Sequence, residues 1–223
     1  MFREMYGSYG LALDDGCAED IVAYCKQECI DTDSFNMPIY VRPGTISCRA
    51  LLASLPSFNS PVFLPQSVMN CDFMFEDCSS FNFPLKLPDS VLSCCGLLHN
   101  CTAYDQPLVL PKNLINCNSL LAGCHSFNQP LHLPDSVLHA NYMLQHCNSF
   151  NSDLILSPNL EEGIGLFDGC LQFTQEVLIP TKLAYTSLIM KYAYPETIYV
   201  NQIYKSLVLK NMSEEDVKHY VFY

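Results

Sequence analysis

The phrase Phe-Asn-x-Pro-Leu-x-Leu-Pro returns along this chain every 23 residues, its first position falling at Phe35, Phe58, Phe81, Tyr104, Phe127, Phe150 and Phe173. A fixed period in the twenties makes one coil per repeat, and each coil is stable only against its neighbours. The chain is thereby restricted to a solenoid. The copies occupy residues 35–195, which leaves 1–34 and 196–223 as ends.

Columns are counted here from the aromatic residue of each copy. Column 5 reads Ile39, Val62, Leu85, Leu108, Leu131, Leu154, Val177, and column 7 reads Val41, Leu64, Leu87, Leu110, Leu133, Leu156, Ile179. Alternation with a period of two predicts a short strand whose odd columns point inward. Proline usually follows (Pro65, Pro88, Pro111, Pro134, Pro180) and, lacking an N–H, ends the ladder. Stacked units then pair these strands in parallel into one long sheet. Column 11 (Val68, Val91, Leu114, Val137, Leu160) gives a second inward point. Columns 17 and 18 add a paired apolar step, as in Met74-Phe75, Leu97-Leu98 and Leu120-Leu121, which predicts a short helical turn closing each coil. Column 2 is mostly Asn (Asn36, Asn59, Asn82, Asn128, Asn151), a residue that can satisfy backbone groups at a recurrent bend.

Cysteine fills two further columns: Cys48, Cys71, Cys94 and Cys117 in column 14, and Cys78, Cys101, Cys124, Cys147 and Cys170 in column 21. His99, His125 and His146 lie within two positions of these thiols. Zinc sites bring close pairs such as C-x₂-C, whereas here the thiols recur once per coil and Ala140 and Gly163 replace them. They read as small core residues, and no metal or other cofactor is expected. Asp89 and Asp135 recur as turn formers, and no phosphate loop, Gly-x-Ser-x-Gly or His-Glu-x-x-His is present, so the chain reads as a non-enzyme.

With 49% hydrophobic residues among 223, the chain can bury a sizeable core. Its 11 Lys+Arg against 23 Asp+Glu give a net charge of −12, which argues against binding nucleic acid or an anionic membrane. No export signal or apolar span of membrane length is visible, and the odd count of 13 cysteines falls in columns, so a cytoplasmic, reducing location is expected.

The unit from Ser67 to Asn82, Ser-Val-x-x-Cys-x-x-Met-Phe-x-x-Cys-x-Ser-Phe-Asn, resembles the BspA-like leucine-rich repeats of bacterial surface proteins and of related phage and mycoplasma proteins. The Leu-Pro-Asp-Ser-Val at Leu87–Val91 and Leu133–Val137 is similar to the Ile-Pro-x-Ser-Val of that group. The resemblance covers residues 35–195 and implies a curved, right-handed α/β leucine-rich-repeat solenoid of seven repeats, with a parallel sheet on one face, that binds other macromolecules.

Each end reads as a cap. Residues 12–34 lose the strand pattern, and Ile21-Val22-Ala23-Tyr24-Cys25 with Cys29 and Ile30 predicts a helix, Glu19 and Asp20 standing at its favourable start. Cys25 and Cys29 fit one helical face as packing residues. From Glu196 the frame breaks into an α+β cap, with strands expected at Thr197–Val200 and Ser206–Leu209 and a short helix from Ser213 to beyond Asp216. The apolar terminus Tyr220–Tyr223 either docks on the last coil or is offered to a partner.

Column 6 lies between the two inward columns and therefore points outward: Tyr40, Phe63, Lys86, Val109, His132, Ile155, Leu178. Five of the seven are apolar where a solvated face should be polar, which marks an interaction surface. Another protein, a second copy of the chain, or the caps could cover it. The acidic N-terminal segment, with Asp14, Asp15, Glu19 and Asp20, is a second candidate surface and suits a basic partner. The expected function is a protein-binding repeat module. A phage-type intracellular inhibitor of a defence nuclease, of the anti-CRISPR kind, and a surface or virion adhesin are the alternatives.

Overall fold

A computed structural model describes residues 11–13, 18–180, 182–183, 198–200 and 220–222. Columns 5, 7, 11, 17 and 18 turn inward and form one continuous core from Ile21 to Leu183. The column 1 aromatics stack through it as a spine. Successive rings from Phe35 to Phe173 lie 5.3–6.2 Å apart, centroid to centroid, and within 19° of parallel. That spacing follows from the strand-to-strand distance of about 4.8 Å between coils, which brings equivalent rings into offset contact.

The Asn of column 2 does what its position at a bend predicts, and does it between coils. Asn36 Oδ1 accepts from the N–H of Asn59 (2.8 Å) and Asn59 Oδ1 from that of Asn82 (2.9 Å). The chain of bonds continues through Asn82, Asp105, Asn128 and Asn151 to the N–H of Thr174. Asp105 keeps the ladder intact because its carboxylate oxygen accepts equally well.

The parallel sheet expected along columns 5 to 7 exists in pieces. Strands β1 (Leu11–Leu13), β2 (Ile39–Val41) and β3 (Val62–Phe63) form one sheet, and β4 (Leu131–His132) pairs with β5 (Leu154–Ile155). A lone bridge joins Lys86 to Val109 between them. A proline in column 4, column 8 or both bounds β2, β3, β4 and β6 and weakens their ladder, whereas β5 has Asp153 and Ser157 in those columns. An unbroken ladder runs instead along column 13, through Ser47, Asn70, Ser93, Asn116, His139 and Glu162, where no proline intervenes.

The short helical turn expected at columns 17 and 18 is replaced by linked tight turns. In the coil of Phe35, the N–H groups of Leu51 and Ala53 bond three residues back, to Cys48 and Ala50, while those of Cys48, Ala50, Leu52 and Ser54 bond the next coil. Two columns adopt left-handed φ to permit this. Column 16 includes Ala50 (53°), Phe73 (57°) and Gly96 (59°), and column 20 includes Ser54 (61°), Asp77 (60°) and Asn100 (59°). A left-handed non-glycine residue costs about 1–2 kcal/mol. The inter-coil bonds offset it.

Helix α1 (Ala18–Glu28) precedes the coils, with Ile21 and Cys25 buried and the Tyr24 ring edge-on to Phe35. It ends as Cys29 turns left-handed (φ 55°) and Ile30 donates to Cys25 O, a six-residue closing loop. Cys29 is consequently exposed, not packed beside Cys25 as the i, i+4 spacing predicted. The N-terminal segment also contains a strand, β1, which the sequence pattern did not predict. At the other end β6 (Val177–Leu178), β7 (Ile198–Val200) and β8 (Tyr220–Phe222) pair in parallel, so two further rungs continue the ladder beyond Glu196. Tyr220–Phe222 thus pair with β7 as a strand, with Val221 exposed. The strand expected at 206–209, the helix from Ser213, and the seventh copy beyond Leu183 lie outside the described residues.

Candidate functional site

Alternation along each two- or three-residue strand aims column 6 away from the core. Phe63 is 49% exposed, Val109 81%, Ile155 56% and Leu178 65%, with Lys86 and His132 also exposed. Tyr40 is half-buried because its ring stacks on Phe63 at 4.6 Å and 8°. The structure therefore brings all seven predicted residues onto one face. Of the acidic candidates, Glu19 and Asp20 lie in the first turn of α1, while Asp14 and Asp15 lie outside the described residues.

Among the described residues, grooves open along the column where the strand ladder breaks. One, of about 470 Å³, runs between Leu154–Pro158 and Glu176–Pro180, with Ile155 and Leu178 on its walls and Glu176 at its rim. Another, of about 200 Å³, lies between Val62–Gln66 and Lys86–Pro88. Exposed Glu176 is the acidic residue in the otherwise apolar lining of the larger groove.

The cysteine columns are buried, and each column 21 thiol donates to a carbonyl of the preceding coil, as from Cys78 to Leu52 O (2.9 Å) and from Cys124 to Leu98 O (3.0 Å). Burial pushes the Cys48, Cys78 and Cys170 thiols up to about 12. Burial, then the thiol of an adjacent coil, lifts Cys94 and Cys101 well above the ordinary value. Such thiols are neutral core groups, without nucleophilic character. Among the described residues, no group of three or more His, Cys, Asp or Glu is placed to hold a metal ion, and no helix is long and apolar enough to cross a membrane.

One polar cluster escaped the reading by columns. The Asp72 carboxylate is buried and accepts from Ser93 Oγ (2.6 Å), Cys95 N–H (2.8 Å), Asn70 Nδ2 (2.9 Å) and Arg49 Nη1 (3.3 Å). Arg49 also covers the Phe73 ring at 4.9 Å. Every lone-pair direction is used within the fold, so the cluster ties three coils together and offers no reactive group. A second outward apolar column, column 12, also went unremarked. Its signal was present in the sequence, but column 12 adjoins inward column 11, and adjacency alone does not tell which of two apolar columns faces solvent.

Residues 46–132 and 89–178 match the model of a family described as "Mycoplasma protein of unknown function, DUF285". Among solved structures, the T. pallidum leucine-rich-repeat protein TpLRR is similar at 17% identity, with a TM-score of 0.54 over 82% of this chain and 85% of that one. At that identity the likeness is one of leucine-rich-repeat fold. No curated protein matches the chain.

Proposed function

The chain belongs to the DUF285 family of Mycoplasma proteins of unknown function, and from that premise we propose that it is a non-enzymatic protein-binding module on a leucine-rich-repeat framework. The observation that carries this is the row of exposed apolar side chains at Phe63, Val109, Ile155 and Leu178 on a face where solvation should select polar residues. In this reading the coils make one right-handed solenoid of seven repeats, of BspA-like type, working in a reducing compartment where its buried thiols stay free. Replacing Phe63, Val109 and Ile155 together by Ser should abolish capture of the native partner from cells that encode the protein, with the circular dichroism spectrum unchanged. Capture that survives the triple change would exclude the column.

A second reading rests on the net charge of −12 and on Glu176 in the lining of the larger groove. The same module would then inhibit a protein with a basic surface, such as a nuclease, by occupying the channel that holds nucleic acid. Binding of that kind weakens steeply with salt, whereas apolar docking does not. Measuring affinity between 50 and 500 mM salt separates the two.

A further inference from the structure

Column 12 places Ile46, Met69, Leu92, Ile115 and Leu138 side by side on five successive coils before Glu161 ends the run. Ile46 is 55% exposed, Met69 41% and Ile115 39%, and Leu92 and Leu138 are half-buried. The row is tied together by its own backbone: Met69 N–H donates to Ile46 O (2.8 Å), and Leu92, Ile115 and Leu138 each repeat this to the preceding coil at 2.9 Å. Unlike column 6, no Lys or His interrupts it.

The surroundings are as informative as the row. Residues 44–48, 67–71, 90–94, 113–117 and 136–140 contain no Asp, Glu, Lys or Arg, in a chain where 15% of residues are charged. Charges stand just outside these windows, at Arg49, Asp72, Asp89, Lys112 and Asp135; Arg49 pairs with Asp72 at 3.3 Å and Lys112 with Asp89 at 3.4 Å, and His139 lies 3.3 Å from Glu162 at the row's end. For a molecule of net charge −12, self-association is opposed by like-charge repulsion over most of its surface. Along this row it is reduced, because the row itself carries no formal charge and two of the flanking pairs are neutralised. A second copy also presents the same spacing of about 4.8 Å per coil, so two rows laid antiparallel stay commensurate along their whole length, as a two-fold contact requires.

We propose that column 12 is a homodimer face, in which Leu92 meets Leu92 at the two-fold axis and Ile46 of each copy meets Leu138 of the other, leaving column 6 free for a different partner. Five coils by four or five columns give a footprint of roughly 300 Å² per copy, below the ~800 Å² of a standard interface, so the dimer is weak.

Sedimentation equilibrium of the full chain from 10 µM to 1 mM, under reductant, tests this. The expected result is a reversible monomer–dimer equilibrium whose Kd rises at least tenfold in Ile46→Asp/Ile115→Asp and changes less than twofold in Val109→Ser/Ile155→Ser. Ile46→Lys and Leu138→Glu should each weaken self-association, and mixing the two should restore a heterodimer; these single changes serve should the double Asp variant unfold. A chain that stays monomeric to 1 mM overturns the proposal. So does a dimer indifferent to the column 12 substitutions, or one lost with Val109 and Ile155. Loss of partner capture by the column 6 variant bears on the binding module alone, so the two ideas fail separately.

Discussion

Raising the pH should unfold this protein through its thiols. Nine cysteines, four in column 14 and five in column 21, are fully buried. Burial raises Cys48, Cys78 and Cys170 from the ordinary 9.0 to about 12, and raises the other six as well. A thiol kept neutral in the fold but free to ionise near pH 9 in the unfolded chain contributes stability that is complete below pH 9. That stability is lost as pH climbs towards 12. Each thiol loses about 0.35 kcal/mol between pH 8 and 9, and about 1.4 kcal/mol by pH 10. Nine together lose about 3 kcal/mol over the first interval and about 12 by pH 10, against about 5–15 kcal/mol for the whole stability of a typical domain. Cooperative unfolding is therefore expected between pH 9 and 10. Urea unfolding at pH 8 and pH 9 under reductant, followed by far-ultraviolet circular dichroism, measures the first interval directly. Replacing Cys48, Cys71, Cys94 and Cys117 by Ala, the residue already present as Ala140, should reduce the loss between pH 8 and 9 to about 2 kcal/mol. A wild-type change below about 1 kcal/mol, or an unaltered pH dependence in the quadruple variant, would refute the argument.

Three further outcomes are expected. Asp72→Ala removes the acceptor for Ser93, Cys95, Asn70 and Arg49 at once and should cost about 2–4 kcal/mol in urea unfolding. A Cβ at Gly96 (φ 59°) would meet the Phe73 ring at 2.5 Å, so Gly96→Ala should cost about 2–3 kcal/mol alone but only about 1 kcal/mol in a Phe73→Ala background. Thiol labelling of the native chain at pH 8 should modify exposed Cys29 rapidly and half-buried Cys95, whose thiol burial and then Asp72 push up, more slowly, while sparing the nine columnar thiols, which react only after denaturant is added.

Much of the framework was legible because its rules are local. Inward columns 5 and 7 follow from strand alternation, the column 1 spine from a strict period that superimposes aromatic on aromatic, and the burial of the cysteines from their recurrence once per coil. The outward aim of column 6 follows from the same alternation, and its exposure agrees. The linked turns at columns 16 to 20 were not legible. The pair Leu51-Leu52 suits a helical turn until a neighbouring coil offers carbonyls to the alternate N–H groups. Likewise nothing in Ile198–Val200 or Tyr220–Phe222 says that they extend a ladder at intervals of 21 and 22 residues instead of 23.

The amino-acid sequence alone thus determined a stack of equivalent coils and which columns fill its core, since period and hydrophobicity act along the chain. Only the tertiary structure decided where the backbone ladder is continuous, which residues accept left-handed φ, how Asp72 is satisfied, and that column 12 stands uncovered beside a buried column. Those properties depend on groups about 23 residues apart coming within hydrogen-bond reach, and that distance exists only once the coils have stacked.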